Sequence, residues 1–284
     1  MPAIPSVTLN NGTKIPILGL GCYLLGRNTT SEIVYNAIKL GYRHFDTAQM
    51  YGNEREVGQG IMKWINENPQ ANKRSDIYYT TKLLGENQGY DSAKRAIRTS
   101  FQKVNQLEYI DLFLIHDPMT NKDKRLGAWK ALQEAVEEGL IKSIGISSYG
   151  IRHMKELLEW DGLTIKPVVN QIELNPWLTR KEIVQYCKDH SIYLETFSPL
   201  TKGFKFNDHQ LQALATKYNK SPAQILIKWN LQNDYIVIPK SSNLQRQLDN
   251  MNVFDFAISD EDMKMITHDE AYEYFDWDPT DYMG

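Results

Sequence analysis

The strongest constraint on this 284-residue chain is a repeated local pattern, in which short apolar runs of strand length alternate with amphipathic stretches of helix length. The strand-like runs are ILGLG (17–21), HFDT (44–47), IYYTTK (77–82), IDLFLIH (110–116), SIGISS (143–148), VVNQIE (168–173), YLETF (193–197) and YIVIP (235–239), eight in all. Between them, SEIVYNAIKLG, EREVGQGIMKWINE, SAKRAIRTSFQKV and KALQEAVEEG place apolar residues three and four apart, often with Gly or Asn at the end. Strand followed by helix, repeated, needs parallel strands joined by right-handed crossovers. An open doubly wound sheet would give a similar string, but eight units favour closure into an α/β (β/α)8, or TIM, barrel. Ahead of it, SVTL-NNG-TKIP reads as an N-terminal β-hairpin with Gly12 at positive φ in the turn. Ser221 and Pro222 mark the start of the helix that leads into the last run. No linker or low-complexity tract divides the chain, so one domain over residues 1–284 is expected.

Charge narrows the partners. Lys and Arg number 32 and Asp and Glu 35, a net charge of -3, so the chain carries no global basic field for nucleic acid or an anionic membrane. A small molecule is the expected partner. Cys22 and Cys187 are far apart and outside any metal-ligand or disulfide spacing. The segment MPAIPSVTLNNGTKIP has no basic stretch followed by an apolar one, and no apolar run reaches membrane-spanning length. A soluble, cytoplasmic protein follows, expected as a monomer with a dimer as the alternative.

In a β/α barrel, catalytic groups stand on the loops after the strands. The second run ends in Asp46, the third in Lys82 and the fourth in His116, and Tyr51 follows Asp46 in the loop TAQMYGNE. Each alone has an ordinary structural reading: a cap, a rim charge, a core imidazole, a packed loop aromatic. Three adjacent strands, however, place an acid, an ammonium and an imidazole around one side of one mouth. A phenol with a pKa near ~10 is a poor acid unless a cation stabilises its phenolate. Lys82 would be that cation, Asp46 would hold it, and neutral His116 would align a carbonyl oxygen. The set suits protonating an oxygen on which negative charge develops. It includes no activated serine or thiol and no metal cluster.

Such a proton donor needs a hydride donor beside it. Gly19, Gly21 and Gly26 do not form the GxGxxG dinucleotide motif. After the eighth run, IPKSSNLQRQLDN offers Ser241, Ser242 and Asn243 to cap a short helix, with Lys240 and Arg246 near its N-terminus. Barrels commonly bind phosphate at this place, and two cations suit a phosphate monoester, although an ordinary capped surface helix reads the same way.

With these residues in view, the chain resembles the aldo-keto reductase family over nearly its whole length. GYRHFDTAQMYGNEREVG, IDLFLIHDP and IPKSSNLQRQLDN are similar to that family's tetrad and cofactor segments, in order and spacing. The wording is most similar to small fungal and bacterial members that reduce aldehydes and ketones. The resemblance implies an NADPH-dependent reductase with a tetrad of Asp46, Tyr51, Lys82 and His116, Tyr51 being the acid. It implies that Phe197 stacks on the nicotinamide, that Ser147, Ser148 and Gln171 hold its carboxamide, and that Gly21, Cys22, Tyr23, Asp46, Ser198 and Leu200 line its site. Lys240, Ser241, Ser242, Asn243 and Arg246 match the group around the 2′-phosphate, and Asn250 the adenine contact. Tyr23, Tyr51, Leu84, His116 and Asp117 are the expected substrate pocket.

The chain departs from the family pattern in several places. Ser148 stands where many members have Asn, and Phe197 where Tyr is commoner. Tyr23 and Leu84 stand where aryl-lined pockets carry Trp, and Asp117 follows His116 where Trp is frequent. A wider, more polar pocket follows, and the tail AYEYFDWDPTDY either folds over the mouth or packs on the barrel. Two other readings share these residues: a lyase in which Lys82 attacks the carbonyl as a Schiff base, and a nucleotide-sensing subunit without catalysis.

Overall fold

The computed structural model describes residues 3–284, so the first two residues of the N-terminal segment read above lie outside it. The chain opens with an antiparallel hairpin of β1 (Ser6–Thr8) and β2 (Lys14–Pro16), with Gly12 at φ +83° in its turn. Alternation follows: β3 (Leu20–Gly21), α1 (Arg27–Leu40), β4 (His44–Asp46), α2 (Glu54–Glu67), β5 (Tyr78–Leu83), α3 (Tyr90–Lys103) and β6 (Ile110–Ile115). Next come α4 (Lys122–Glu137), β7 (Ile141–Ser147), α5 (Ile151–Leu158), β8 (Val169–Glu173), α6 (Lys181–Asp189) and β9 (Tyr193–Phe197). Two helices, α7 (His209–Tyr218) and α8 (Pro222–Gln232), lead into β10 (Ile236–Val237), and α9 (Leu244–Met251) and α10 (Asp260–Ile266) follow it.

Strands β3 to β10 lie side by side in sequence order and all pair in parallel. The ring closes where Leu18 bridges Val237 and Gly21 bridges Lys240, with Val237 N–H donating to Ile17 O at 2.8 Å. This is the (β/α)8 barrel with its N-terminal hairpin. At the seam the strands are shorter than the apolar runs. Pro239 has no N–H to give, and pairing there reduces to single bridges.

The hairpin stoppers one end of the barrel. Leu9 and Ile15 pack with Tyr78, Leu112, Leu114, Val169 and Ile236 in a cluster separate from the main core between barrel and helices. Burying a residue such as Ile15 contributes about 1.5–3 kcal/mol. Helix α8 begins as its sequence dictates: Ser221 Oγ accepts from Gln224 N–H, Gln224 reaches back to Ser221 N–H, and Pro222 takes the first turn. Among the described residues, no helix is long and apolar enough to cross a membrane.

Candidate active site

The segment after β4 decides where Tyr51 points. Gln49–Tyr51 makes one 3-10 turn, ended by Gly52 at φ +66°. Gln49 fastens it from one side, its amide donating to Ser100 Oγ at 2.9 Å and its Oε1 accepting from Leu84 N–H at 2.9 Å. Asn53 fastens the other side, donating to Cys22 O at 2.9 Å and accepting from Thr47 Oγ1 at 2.6 Å. Held in this way, the Tyr51 ring lies 4.9 Å from that of Tyr23 and edge-on to His116 at 5.7 Å.

Lys82, from β5, stands fully buried behind the phenol. Its ammonium donates to Asp46 Oδ1 at 2.5 Å, Thr47 O at 2.9 Å and Tyr51 Oη at 3.4 Å, one direction for each hydrogen. Asp46 is held in turn by Gln171, whose Nε2 donates to Oδ2 at 2.9 Å. Asp46, Tyr51, Lys82 and His116 therefore converge, although they come from three strands and a loop.

The environment sets the protonation states. Burial opposes a charge on Lys82, but the Asp46 carboxylate outweighs it and holds the ammonium above its ordinary range. Burial pushes Asp46 up, and Lys82 and Gln171 pull it back. The Tyr51 phenol is pushed up to about 12 by burial, with Lys82 drawing it down. It is thus a protonated acid whose conjugate base has a cation at hand. Burial, and then Lys82, lower His116 to about 3, so the imidazole is neutral and acts by hydrogen bonding. Proton transfer at this site should therefore show no acid limb near pH 6.5 arising from His116. Comparing pH profiles of kcat/KM for wild type and His116→Asn checks this, and a limb at pH 6–7 that the variant abolishes would contradict it.

A cavity of about 660 Å³ opens over these groups. Of the expected residues, Gly21, Tyr23, Asp46, Tyr51 and His116 line its tetrad side. Ser147, Gln171, Phe197, Ser198 and Leu200 line its wall, as do Lys240 and Arg246, Lys240 being the bridge partner of Gly21. Lys82 and Cys22 are buried beneath the lining. Ser148 is also buried, with φ +57° and its N–H on Gln171 O at 2.9 Å, where it shapes the wall from behind. Ser241, Asn243 and Asn250 belong to the support of α9: Ser241 Oγ accepts from Asn243 N–H at 3.2 Å, and Asn243 caps the helix by accepting from Arg246 N–H at 3.0 Å. Ser242 is exposed beside them.

Leu84 and Asp117 are placed outside the lining. Asp117 is buried and accepts from Met119 N–H at 2.8 Å, so its carboxylate serves its own turn. The aromatic and acidic groups at the mouth come from the tail. Glu173, at the end of β8, accepts from Phe275 N–H at 2.8 Å and Asp276 N–H at 3.1 Å, which draws the tail across the barrel end. Asp276 and Trp277 then line the cavity, and Asp276 pairs with Lys202 at 2.8 Å from the loop after β9. Leu24, Met50, Lys202 and Phe206 also line it, and no local sequence pattern marks them as site residues. Non-glycine residues at positive φ gather here, Leu24, Ser198 and Lys202 among them, as befits loops held in shape around a ligand site.

Residues 18–270 match the Aldo/keto reductase family. The chain belongs to that family. This aldo/keto reductase is 50% identical over 273 residues to an uncharacterized oxidoreductase of Saccharomyces cerevisiae, covering 96% of this chain and 97% of the yeast protein. It is 41% identical over 262 residues to the glyoxal reductase of Bacillus subtilis, covering 92% and 91% of the two chains. Among solved structures, a Bombyx mori aldo-keto reductase in complex with NADP superposes with a TM-score of 0.85 at 34% identity, covering 94% of this chain and 93% of that one.

Proposed function

We propose that this aldo/keto reductase is an NADPH-dependent carbonyl reductase that converts aldehydes, ketones or ketoesters to alcohols. The observation that carries the reading is the protonated Tyr51 phenol at the cavity surface with a buried ammonium 3.4 Å behind it. The cavity's groups fit the dinucleotide. Polar Ser147 and Gln171, the half-buried Phe197 ring and two exposed cations, Lys240 and Arg246, all line it. Neither cation has an ion-pair partner among the described residues, so both are free for phosphate.

When bound, NADPH supplies the hydride for the carbonyl carbon. Tyr51 gives its proton to the carbonyl oxygen as charge develops there, and Lys82 stabilises the phenolate left behind. Asp46 keeps Lys82 charged and in place. His116 orients the oxygen as a neutral hydrogen-bond partner. The B. subtilis relative's name supports a carbonyl substrate. Lys82 is a poor candidate for Schiff-base chemistry, because an ammonium held charged by Asp46 has no lone pair to attack with.

The cofactor assignment has its own test. Arg246→Ala should weaken NADPH by roughly tenfold or more, the scale of one charge-assisted bond, and leave NADH almost unchanged. Titration of both nucleotides by fluorescence quenching reads this out, and equal losses would count against a 2′-phosphate contact.

A further inference from the structure

Below the tetrad the barrel axis carries polar side chains that the proposed reaction does not use. Glu195, in β9, is fully buried, and its Oε2 accepts from Gln171 Nε2 at 2.8 Å. The same nitrogen donates to Asp46 Oδ2 at 2.9 Å. Both amide hydrogens of Gln171 are thus directed at carboxyl groups in the interior, and its Oε1, with no hydrogen-bond partner among the described residues, is left for the cavity that Gln171 lines. On the other side of Glu195, Oε1 lies 3.4 Å from His44 Nε2, which is itself 3.2 Å from Thr80 Oγ1. Burial, and then Asp46, push the Glu195 carboxyl up to about 8, while burial lowers His44 to about 3. At neutral pH this is an uncharged acid beside an uncharged imidazole. Its proton belongs on Oε1, because Oε2 already accepts from Gln171.

We propose that Glu195 is a positioning residue: by accepting the second amide hydrogen of Gln171 it fixes Gln171 Oε1 toward the cleft as an acceptor, which selects a ligand that presents a primary-amide N–H. The inference rests on the NADPH reading, in which that ligand group is the nicotinamide carboxamide. The second acceptor matters because a buried N–H without a partner costs more than a typical hydrogen bond contributes. With Glu195 removed, the amide is held through the Asp46 bond alone, and its plane turns about that bond so that Oε1 is no longer fixed on the carboxamide N–H.

The test compares NADPH with its 3-acetylpyridine analogue, which keeps the ring's carbonyl and replaces the amide nitrogen with a methyl group. Binding is titrated by fluorescence quenching, and folding of each variant is checked by circular dichroism. Wild type should prefer NADPH by about tenfold, the scale of one well-made hydrogen bond in a dry site. Glu195→Gln, whose carbonyl still accepts from Gln171, should keep that preference. Glu195→Met and Glu195→Ala accept nothing and should bring the ratio near one, chiefly by weakening NADPH; either variant that folds suffices. If Glu195 serves only the fold, both nucleotides weaken together and the ratio persists, which overturns the proposal. A wild-type ratio near one overturns it without any variant. Failure of wild type to bind either nucleotide is a different result: it removes the NADPH reading itself, and this inference with it.

Discussion

Replacing Tyr51 with Phe is expected to lower kcat for carbonyl reduction by about 10²–10⁴-fold, the usual contribution of a positioned general acid, and to leave NADPH affinity almost unchanged. The ring remains and still packs beside Tyr23 and His116, so the cavity keeps its shape. What disappears is the O–H. His116 cannot replace it, since an imidazole lowered to about 3 is neutral and gives up its remaining proton far less readily than a phenol. Lys82 stays behind the ring that remains, and its charge is committed to Asp46 at 2.5 Å. Single-turnover reduction checks this, because it isolates chemistry from product release. A variant as fast as wild type would mean that another group protonates the oxygen.

Lys82→Met should damage stability and turnover together. Methionine matches the volume of the lysine stem but strands Asp46, a fully buried carboxyl whose remaining support is Gln171. Breaking a buried pair from one side costs about 3–5 kcal/mol, most of it the penalty of the abandoned charge. Adding Asp46→Asn to Lys82→Met should therefore recover part of the lost stability, while turnover stays as low as in the single variant because the phenolate still lacks its cation. Denaturant unfolding and NADPH oxidation on the same samples separate the two effects. A double variant no more stable than the single one would show that the unpaired carboxyl is not the cause.

The barrel and the tetrad were legible because both are encoded in local pattern. Eight apolar runs with helical spacers leave few topologies, and in a barrel the residue that ends a strand is delivered to the mouth, which placed Asp46, Lys82 and His116 before any contact was known. Tyr51 was legible through its short tether to Asp46. The rest depends on loop shape. Asp117 directly follows a tetrad residue, yet its turn folds it onto Met119 N–H and out of the cavity. Trp277 and Asp276 enter from the far end of the chain because Glu173 catches the tail's backbone, a contact between residues 102 and 103 positions apart that no local pattern announces. Glu195 did leave a trace. In the run YLETF, period-two alternation puts it on the same face as Phe197, and a carboxyl there points into the barrel axis.

The most direct measurement of the central claim follows the hydrogen. The protein is mixed with NADPH deuterated on one face of the nicotinamide C4, together with an aldehyde such as glyoxal, and the product is analysed by mass spectrometry. The account predicts that one of the two face-labelled forms gives an alcohol carrying deuterium at the former carbonyl carbon, in step with loss of the nicotinamide absorbance, and that Tyr51→Phe does so far more slowly. NADPH that remains unconsumed with every aldehyde, ketone and ketoester tried, or a substrate trapped by borohydride as a mass increase on Lys82, would contradict it.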